Sequence, residues 1–132
     1  MPELPKLLNF EEVDGEKRWT YPLKTTFNYQ SVYKLTITDY IWKGKKGREK
    51  ITKELIWSLF QEKLHEEPLK SIEYDGNRKP YIWDKFYEGK WYRSYFWHKN
   101  NSTSHLWVRN FHRIDPPKKT EMDENKETNY ST

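Results

Sequence analysis

The fold and the candidate site depend most on residues 89–114, which read GKWYRSYFWHKNNSTSHLWVRNFHRI. These 26 residues contain no Asp or Glu, although a third of the whole chain is charged. Two alternating runs around a polar centre predict a β-hairpin with strands at 91–98 and 103–114. Cations beside flat aromatic surface suit a ligand that carries phosphates and bases. The alternative is a sheet that buries its aromatic rings and leaves its charges in solvent.

Alternation along the two strands predicts which side chains share a sheet face. A three-residue loop pairs Lys99 with Thr103 and brings Arg93 opposite Arg109, whereas a two-residue turn shifts the pairing by one. The first register is favoured because it keeps the arginines out of the core. The exposed face it predicts consists of Trp91, Arg93, Tyr95, Trp97, His105, Trp107, Arg109, Phe111 and Arg113. The even positions of the last strand are predicted to face the core, namely Leu106, Val108, Asn110, His112 and Ile114.

One helix is predicted over residues 52–66. Thr52 is a good N-cap residue, and Ile51 and Ile56 have the spacing of a hydrophobic staple. Pro68 prevents the helix from continuing. The side chains expected beneath Leu106 and Val108 are those of its apolar stripe, namely Ile56, Leu59, Phe60 and Leu64.

The remaining elements complete an α+β domain. Strands are predicted over 32–38, 71–74 and 80–87, with tight turns at 75–77 and 88–89. The resulting architecture is one main helix packed on an antiparallel, mostly meander β-sheet that leaves an aromatic and basic face open. The basic connection at 40–50, which contains Lys45 and Lys46, is interpreted as a solvated loop in preference to a phosphate contact.

Composition sets the domain limits and the class of partner. A chain of 132 residues without cysteine is one domain with no disulfide framework. Residues 31–114 form the predicted domain, with 17 Lys and Arg against 10 Asp and Glu. Residues 1–30 are expected to form an extended strap, and 115–132 a disordered polar tail. The basic domain suggests an anionic partner, although ordinary solubility charge is the alternative.

The sequence also predicts the setting in which the protein works. No stretch has the apolar length of a signal peptide or of a membrane span, so a cytoplasmic protein without a membrane partner is expected.

Three of the four histidines lie seven residues apart, at 98, 105 and 112. This spacing does not suit a zinc site, and no metal or other cofactor is predicted.

Residues 92–113 resemble the C-terminal half of the RelE-type ribonuclease toxins, and more broadly the small nucleases that include barnase and colicin D. In the RelE type a Tyr-Arg pair opens one strand and a Gly/His-Arg element ends the next. Tyr92-Arg93 and His112-Arg113 fill those places here. The resemblance extends over about residues 50–114. The tyrosine that often follows the final arginine is absent, and Lys85 matches the family's preceding lysine only approximately.

The resemblance implies a metal-independent ribonuclease in which a 2′-hydroxyl attacks the adjacent phosphate. Arg93 and Arg113 match the phosphate-binding arginines, with Arg109 beside them, and His105 is favoured over His112 as the acid or base. The residues expected to hold the nucleic acid are Trp91, Tyr95, Trp97, Trp107, Phe111, Lys85, Lys45 and Lys46. RNA or another nucleic acid and a protein antitoxin or inhibitor would be the partners. The alternative is a non-catalytic module of this fold class that binds nucleic acid or protein.

Overall fold

In its described residues the chain folds into one α-helix and a six-stranded, mostly antiparallel sheet. The computed structural model describes residues 3–72, 78–99 and 104–116. Its elements are β1 (Asn9–Val13), β2 (Glu16–Phe27), β3 (Gln30–Thr38), α1 (Lys53–Lys63), β4 (Arg78–Tyr87), β5 (Lys90–Lys99) and β6 (His105–Ile114). Single 3-10 turns lie at Asp39–Ile41 and Leu64–Glu66. This confirms the predicted α+β class.

Helix α1 begins where its capping residues predict. The backbone N–H of Leu55 donates to Thr52 Oγ1 over 3.1 Å, which satisfies one of the free donors of the first turn. Ile51 and Ile56 are both buried at the start of the helix. The 3-10 turn at Leu64–Glu66 then extends the helix to the predicted limit, residue 66.

The N-terminal region that was predicted as an extended strap supplies two strands of the sheet. A turn at Asp14 and Gly15, both with positive φ, joins β1 to β2. Strand β2 is 12 residues long and pairs with β3, and it buries Tyr21 and Phe27 in the core. The described part of this region is therefore integral to the fold.

The strand order is β1-β2-β3-β6-β5-β4. Neighbouring strands are antiparallel except β3 and β6, which are parallel. The predicted turn at Glu88-Gly89 joins β4 to β5. Residues 71 and 72 are not part of a strand, which contradicts the prediction of one at 71–74. Residues 73–77 and 100–103, with the turns predicted there, lie outside the described residues, as does most of the predicted tail at 115–132.

The core lies between the sheet and α1, on what is here called the helix face of the sheet. At its centre the ring of Phe96 packs 5.2 Å from Phe60 and 5.6 Å from Phe27, measured between ring centroids. The predicted stripe of α1 is buried in the same cluster as Leu106 and Val108. The opposite side of the sheet, which α1 does not cover, is called the outer face.

A β-bulge between β5 and β6 decides which side chains reach the outer face. Trp97 pairs with Trp107, but the register shifts between Phe96 and Tyr95. As a result, Arg93 pairs with His112. The predicted pairing of Arg93 with Arg109 is therefore wrong. Because one extra residue in a strand exchanges its two faces, Phe111 and Arg113 move to the helix face.

The physical reason for the bulge is the identity of the buried residues. Strict alternation from Val108 would place Asn110 in the core and Phe111 in solvent. The bulge instead buries Phe111 completely and leaves Asn110 half-buried on the outer face. Burying the ring of Phe111 in place of the carboxamide of Asn110 lowers the free energy of this register. This gain exceeds the cost of the ladder hydrogen bond that is lost at the bulge.

Candidate functional site

The outer face carries a cleft of about 390 Å³ above the bulge. The 3-10 turn after β3 forms one wall, and β4, β5 and β6 form the floor and the other wall. The side chains that line it are Tyr40, Ile82, Arg93, Tyr95, Trp97, Arg109, Asn110 and His112. Its size lies in the lower part of the range of small-ligand sites in proteins.

Arg109 lies between two aromatic rings in this cleft. Its Cζ is 4.9 Å from the centroid of the Trp97 ring and 5.5 Å from that of Tyr40. Glu16 Oε1 accepts a hydrogen bond from Arg109 Nη1 over 2.6 Å and fixes the guanidinium in this position. Lys45 Nζ also lies 3.4 Å from the centroid of the Tyr40 ring. Tyr40 therefore contacts two cations, and Arg109 contacts two rings.

Arg93 forms a bidentate ion pair at the rim of the cleft. Its Nε and Nη2 donate to the two carboxylate oxygens of Asp84 over 2.7 and 2.9 Å. These bonds raise the pKa of Arg93. Residues 89–114 contain no acid, but β2 and β4 supply Glu16 and Asp84 as the partners of Arg109 and Arg93. Since Asp84 uses the Nε and Nη2 edge, Arg93 Nη1 remains available for another acceptor.

Arg48 holds the bulge beneath the cleft. Its Nη1 donates to the carbonyl oxygens of Ile41 and Phe111 and to Asn110 Oδ1, over 2.8, 3.0 and 2.9 Å. Burial lowers the pKa of Arg48. The basic connection at 40–50 was predicted as a solvated loop, yet this arginine joins it to β6.

His112 brings an imidazole to the cleft in a defined tautomer. Its Nδ1 lies 3.2 Å from the backbone carbonyl oxygen of Arg113. Because a carbonyl only accepts hydrogen bonds, Nδ1 is the donor in this contact, and in the neutral form of the ring Nε2 would be the acceptor. His112 was the less favoured histidine in the sequence interpretation, and the bulge places it on the face of Arg93.

His105 is on the outer face but outside the lining of the cleft. Its Nε2 is 2.6 Å from Thr36 Oγ1, which in turn lies 2.7 Å from Thr20 Oγ1. Burial, and then the charges of Lys99 and Lys34, lower the pKa of His105 to about 4. The ring is therefore neutral at physiological pH and belongs to a hydrogen-bonded network within the sheet.

Two further predicted aromatic residues flank the cleft on the outer face. The Trp107 ring has Lys99 Nζ at 4.0 Å and Arg18 Cζ at 5.4 Å from its centroid. Trp91 contacts Phe86 with a ring separation of 5.6 Å. Together with the cleft, they form an aromatic surface over strands β4, β5 and β6.

Three predicted site residues do not reach this face. Phe111 is in the core, where its ring stacks on Tyr92 at 5.4 Å. Arg113 pairs with Tyr92 on the helix face. Lys85 is also there, with Nζ 2.7 Å from Glu66 Oε2. The predicted catalytic group of Arg93, Arg113, His105 and Arg109 is therefore not brought together.

The remaining predicted residues are in the loop at 40–50, and the missed ones are in the 3-10 turn after β3, in β4 and at the bulge. Lys45 contacts Tyr40, and Lys46 is exposed in the same loop. The sequence interpretation missed Tyr40, Ile82 and Asn110 as parts of the site. One signal was available for Asn110, since a carboxamide at a position predicted to be core is costly without partners.

Comparisons with protein-family models, with curated proteins and with solved structures found no match. Within residues 3–72, 78–99 and 104–116, no group of three or more His, Asp or Glu side chains is placed to hold a metal ion. No helix in the same ranges has the length and apolar character needed to cross a membrane.

Proposed function

We propose that this protein binds single-stranded nucleic acid in the outer-face cleft. The observation that carries the proposal is the alternation of aromatic rings and guanidinium groups around one opening, with Tyr40, Tyr95 and Trp97 beside Arg93 and Arg109. Proteins that hold single strands combine stacking surfaces for the bases with cations that follow the backbone.

The charges of the outer face favour an anionic ligand of limited length. Lys34 and Lys99 add positive charge beyond the cleft, whereas Arg18 is paired with Glu11 and Glu16. Glu16 and Asp84 also neutralise part of the charge of the two cleft arginines. An ion-paired arginine still offers its unused N–H groups to phosphate oxygens. We therefore expect moderate affinity and contacts to few phosphates.

The bases of a single strand are accessible to the cleft, whereas those of a duplex are stacked and paired inside it. Tyr95 and Trp97 project from β5 into an opening of about 390 Å³. Aromatic side chains recognise bases that can leave the stack, as in the unpaired regions of RNA. A duplex of the same sequence should therefore compete weakly.

The test is a titration of a fluorescent single-stranded RNA with the full chain and with two tyrosine variants. Tyr95→Ala removes one stacking surface, and affinity should fall roughly 5- to 150-fold, which corresponds to the 1–3 kcal/mol of a stacked base. Tyr33→Ala is the matched control, because Tyr33 is an exposed strand tyrosine outside the cleft lining. Equal affinity of all three proteins would contradict the proposed site.

Cleavage of the bound RNA is a second candidate, favoured by the position of His112. This imidazole lines the same cleft as Arg93 and Arg109, and among the described residues no hydrogen bond uses its Nε2. In the reaction that the RelE-type resemblance implies, Nε2 would take the proton of the 2′-hydroxyl as that oxygen attacks the phosphorus. The bond from phosphorus to the 5′-oxygen would break, which leaves a 2′,3′-cyclic phosphate, and the departing 5′-oxygen would take a proton from water. The arginines would stabilise the charge that develops on the phosphate oxygens.

Purified protein and RNA decide between binding and cleavage. A ribonuclease should leave a 2′-deoxy strand intact, and His112→Ala should lower its rate at least 100-fold while binding persists. His65→Ala is the matched control, because His65 is exposed in the 3-10 turn after α1. RNA that is bound but remains intact with the unmodified protein would show a binding module.

A further inference from the structure

We infer that Asn110 selects bases that present a carbonyl oxygen, such as uracil or guanine, over adenine. The inference rests on the proposed binding of single-stranded nucleic acid in the outer-face cleft. It concerns one group in that cleft, the carboxamide of Asn110, whose hydrogen bonds within the protein leave it a single possible role toward a ligand.

The orientation of the carboxamide is fixed by two donors. Arg48 Nη1 and the backbone N–H of Phe111 both lie 2.9 Å from Asn110 Oδ1. Each of these groups only donates, so the atom that faces them must be the oxygen of the amide. An amide oxygen has two lone pairs, and both are used by these bonds. Oδ1 therefore has no lone pair left for a ligand.

The other end of the carboxamide is a pair of donors directed away from the protein's own acceptors. In the described part of the chain, no hydrogen bond uses Asn110 Nδ2, and the side chain is half-buried in the cleft lining. A ligand that displaces water from this N–H group must supply an acceptor, because a donor buried without one costs free energy. Asn110 can therefore donate to a base but cannot accept from one.

This asymmetry disfavours adenine. Asparagine usually recognises adenine with both ends of its amide, since the oxygen accepts from N6 and the nitrogen donates to N7. Here Oδ1 cannot accept, so the N6 amino group of adenine has no partner in this pairing. Guanine presents O6 beside N7, and uracil presents O2 and O4, so each offers a carbonyl acceptor to Nδ2.

The test compares uridine and adenosine decamers on the full chain and on Asn110→Asp. Aspartate keeps an oxygen for Arg48 and Phe111, but it replaces the donor with an acceptor that suits the adenine amino group. The unmodified protein should prefer the uridine decamer by about fivefold or more, because Nδ2 can donate to adenine N7 only if the N6 amino group beside it is left without an acceptor. In Asn110→Asp both affinities should fall, because the new charge repels phosphate, and the preference should disappear or reverse.

The ratio of the two affinities separates this inference from the proposed function. Tyr95→Ala is the matched control, and it should weaken both decamers while the uridine preference persists. Unchanged preference in Asn110→Asp, with binding retained, would overturn the role of Asn110 and leave the proposed function intact. Absence of binding to either decamer by the unmodified protein at low salt would instead overturn the proposed function.

A second ligand pair tests the inference without a variant. Inosine has a carbonyl oxygen where adenosine has its amino group, so the two purines differ little in stacking. In dilute lithium chloride, which keeps the inosine strand single, the inosine decamer should bind about fivefold more tightly than the adenosine decamer. Equal affinities would overturn the inference even if Asn110→Asp failed to fold.

Discussion

At the scale of single residues, Arg48 has the largest structural role that the sequence did not reveal. Its Nη1 donates to two backbone carbonyls and to Asn110. Arg48→Ala removes these bonds and leaves buried acceptors without donors, so the free energy of unfolding should fall by about 2 kcal/mol or more. Urea denaturation measures it, and Lys46→Ala, in the same loop but exposed, should change stability by less than about 0.5 kcal/mol. Similar values for both would contradict the anchoring role.

His105 should make the fold sensitive to acid. Its pKa in the folded protein is lowered from 6.5 to about 4, chiefly by burial. Between these values the unfolded chain binds a proton that the folded chain does not, so stability is complete above pH 6.5 and falls as the pH drops toward 4. The loss attributable to this ring is up to roughly 3 kcal/mol.

Unfolding free energies measured across that pH range test the role of His105. His105→Gln should flatten the dependence, because glutamine does not titrate. His65→Gln, in the exposed turn after α1, should leave the slope as it is. Burial also lowers the pKa of His98, so some slope of the same sign should persist in His105→Gln. A slope identical in all three proteins would show that His105 does not contribute.

At the scale of elements, capping residues and the spacing of apolar residues correctly predicted the positions of the helix and of four strands. The N-cap Thr52 and the apolar spacing of α1 correctly located the helix, and alternation located β3, β4, β5 and β6. The predicted pairing of β5 with β6 was wrong by two residues even before the bulge, since Lys99 pairs with His105 and not with Thr103, and the bulge at Arg109 then exchanged the two faces. The bulge is stabilised by Arg48, 61 residues earlier in the chain. The alternation of side chains along a strand gives no information about such a distant contact. The residues assigned to the wrong faces were therefore Phe111, Arg113, Asn110 and His112.

Phe111 tests the observed register against the predicted one. On the helix face, where the structure places it fully buried, Phe111→Ala should lower the free energy of unfolding by about 3–5 kcal/mol. On the outer face the same change would cost far less. Trp91→Ala is the control, because Trp91 is a partly exposed aromatic residue of β5 on the outer face. Thermal and urea denaturation of both variants give the comparison, and a small effect of Phe111→Ala would favour the register without a bulge.

At the scale of the whole molecule, the distribution of charge determines how binding should respond to salt. Residues 31–114 hold 17 basic and 10 acidic residues, but the two cleft arginines are paired with Asp84 and Glu16. A net positive domain attracts a polyanion from a distance, whereas the paired cations limit how many phosphates are neutralised at the site. The overall charge of the domain alone would predict a stronger dependence of binding affinity on salt than we expect from a cleft whose two arginines are ion-paired.

The ion pair of Arg93 makes this argument testable. If two phosphates are contacted, the logarithm of the binding constant for a single strand should fall against the logarithm of salt with a slope of about −1.4. Asp84→Asn releases Arg93 from its carboxylate, so affinity should rise and the slope should steepen by about 0.7. Arg93→Ala should have the opposite effect on both. Glu88→Gln, which removes one acid from the exposed turn between β4 and β5, controls for net charge alone. If Asp84→Asn and Glu88→Gln raise affinity equally, the phosphate is held by the general field of the domain and not by Arg93.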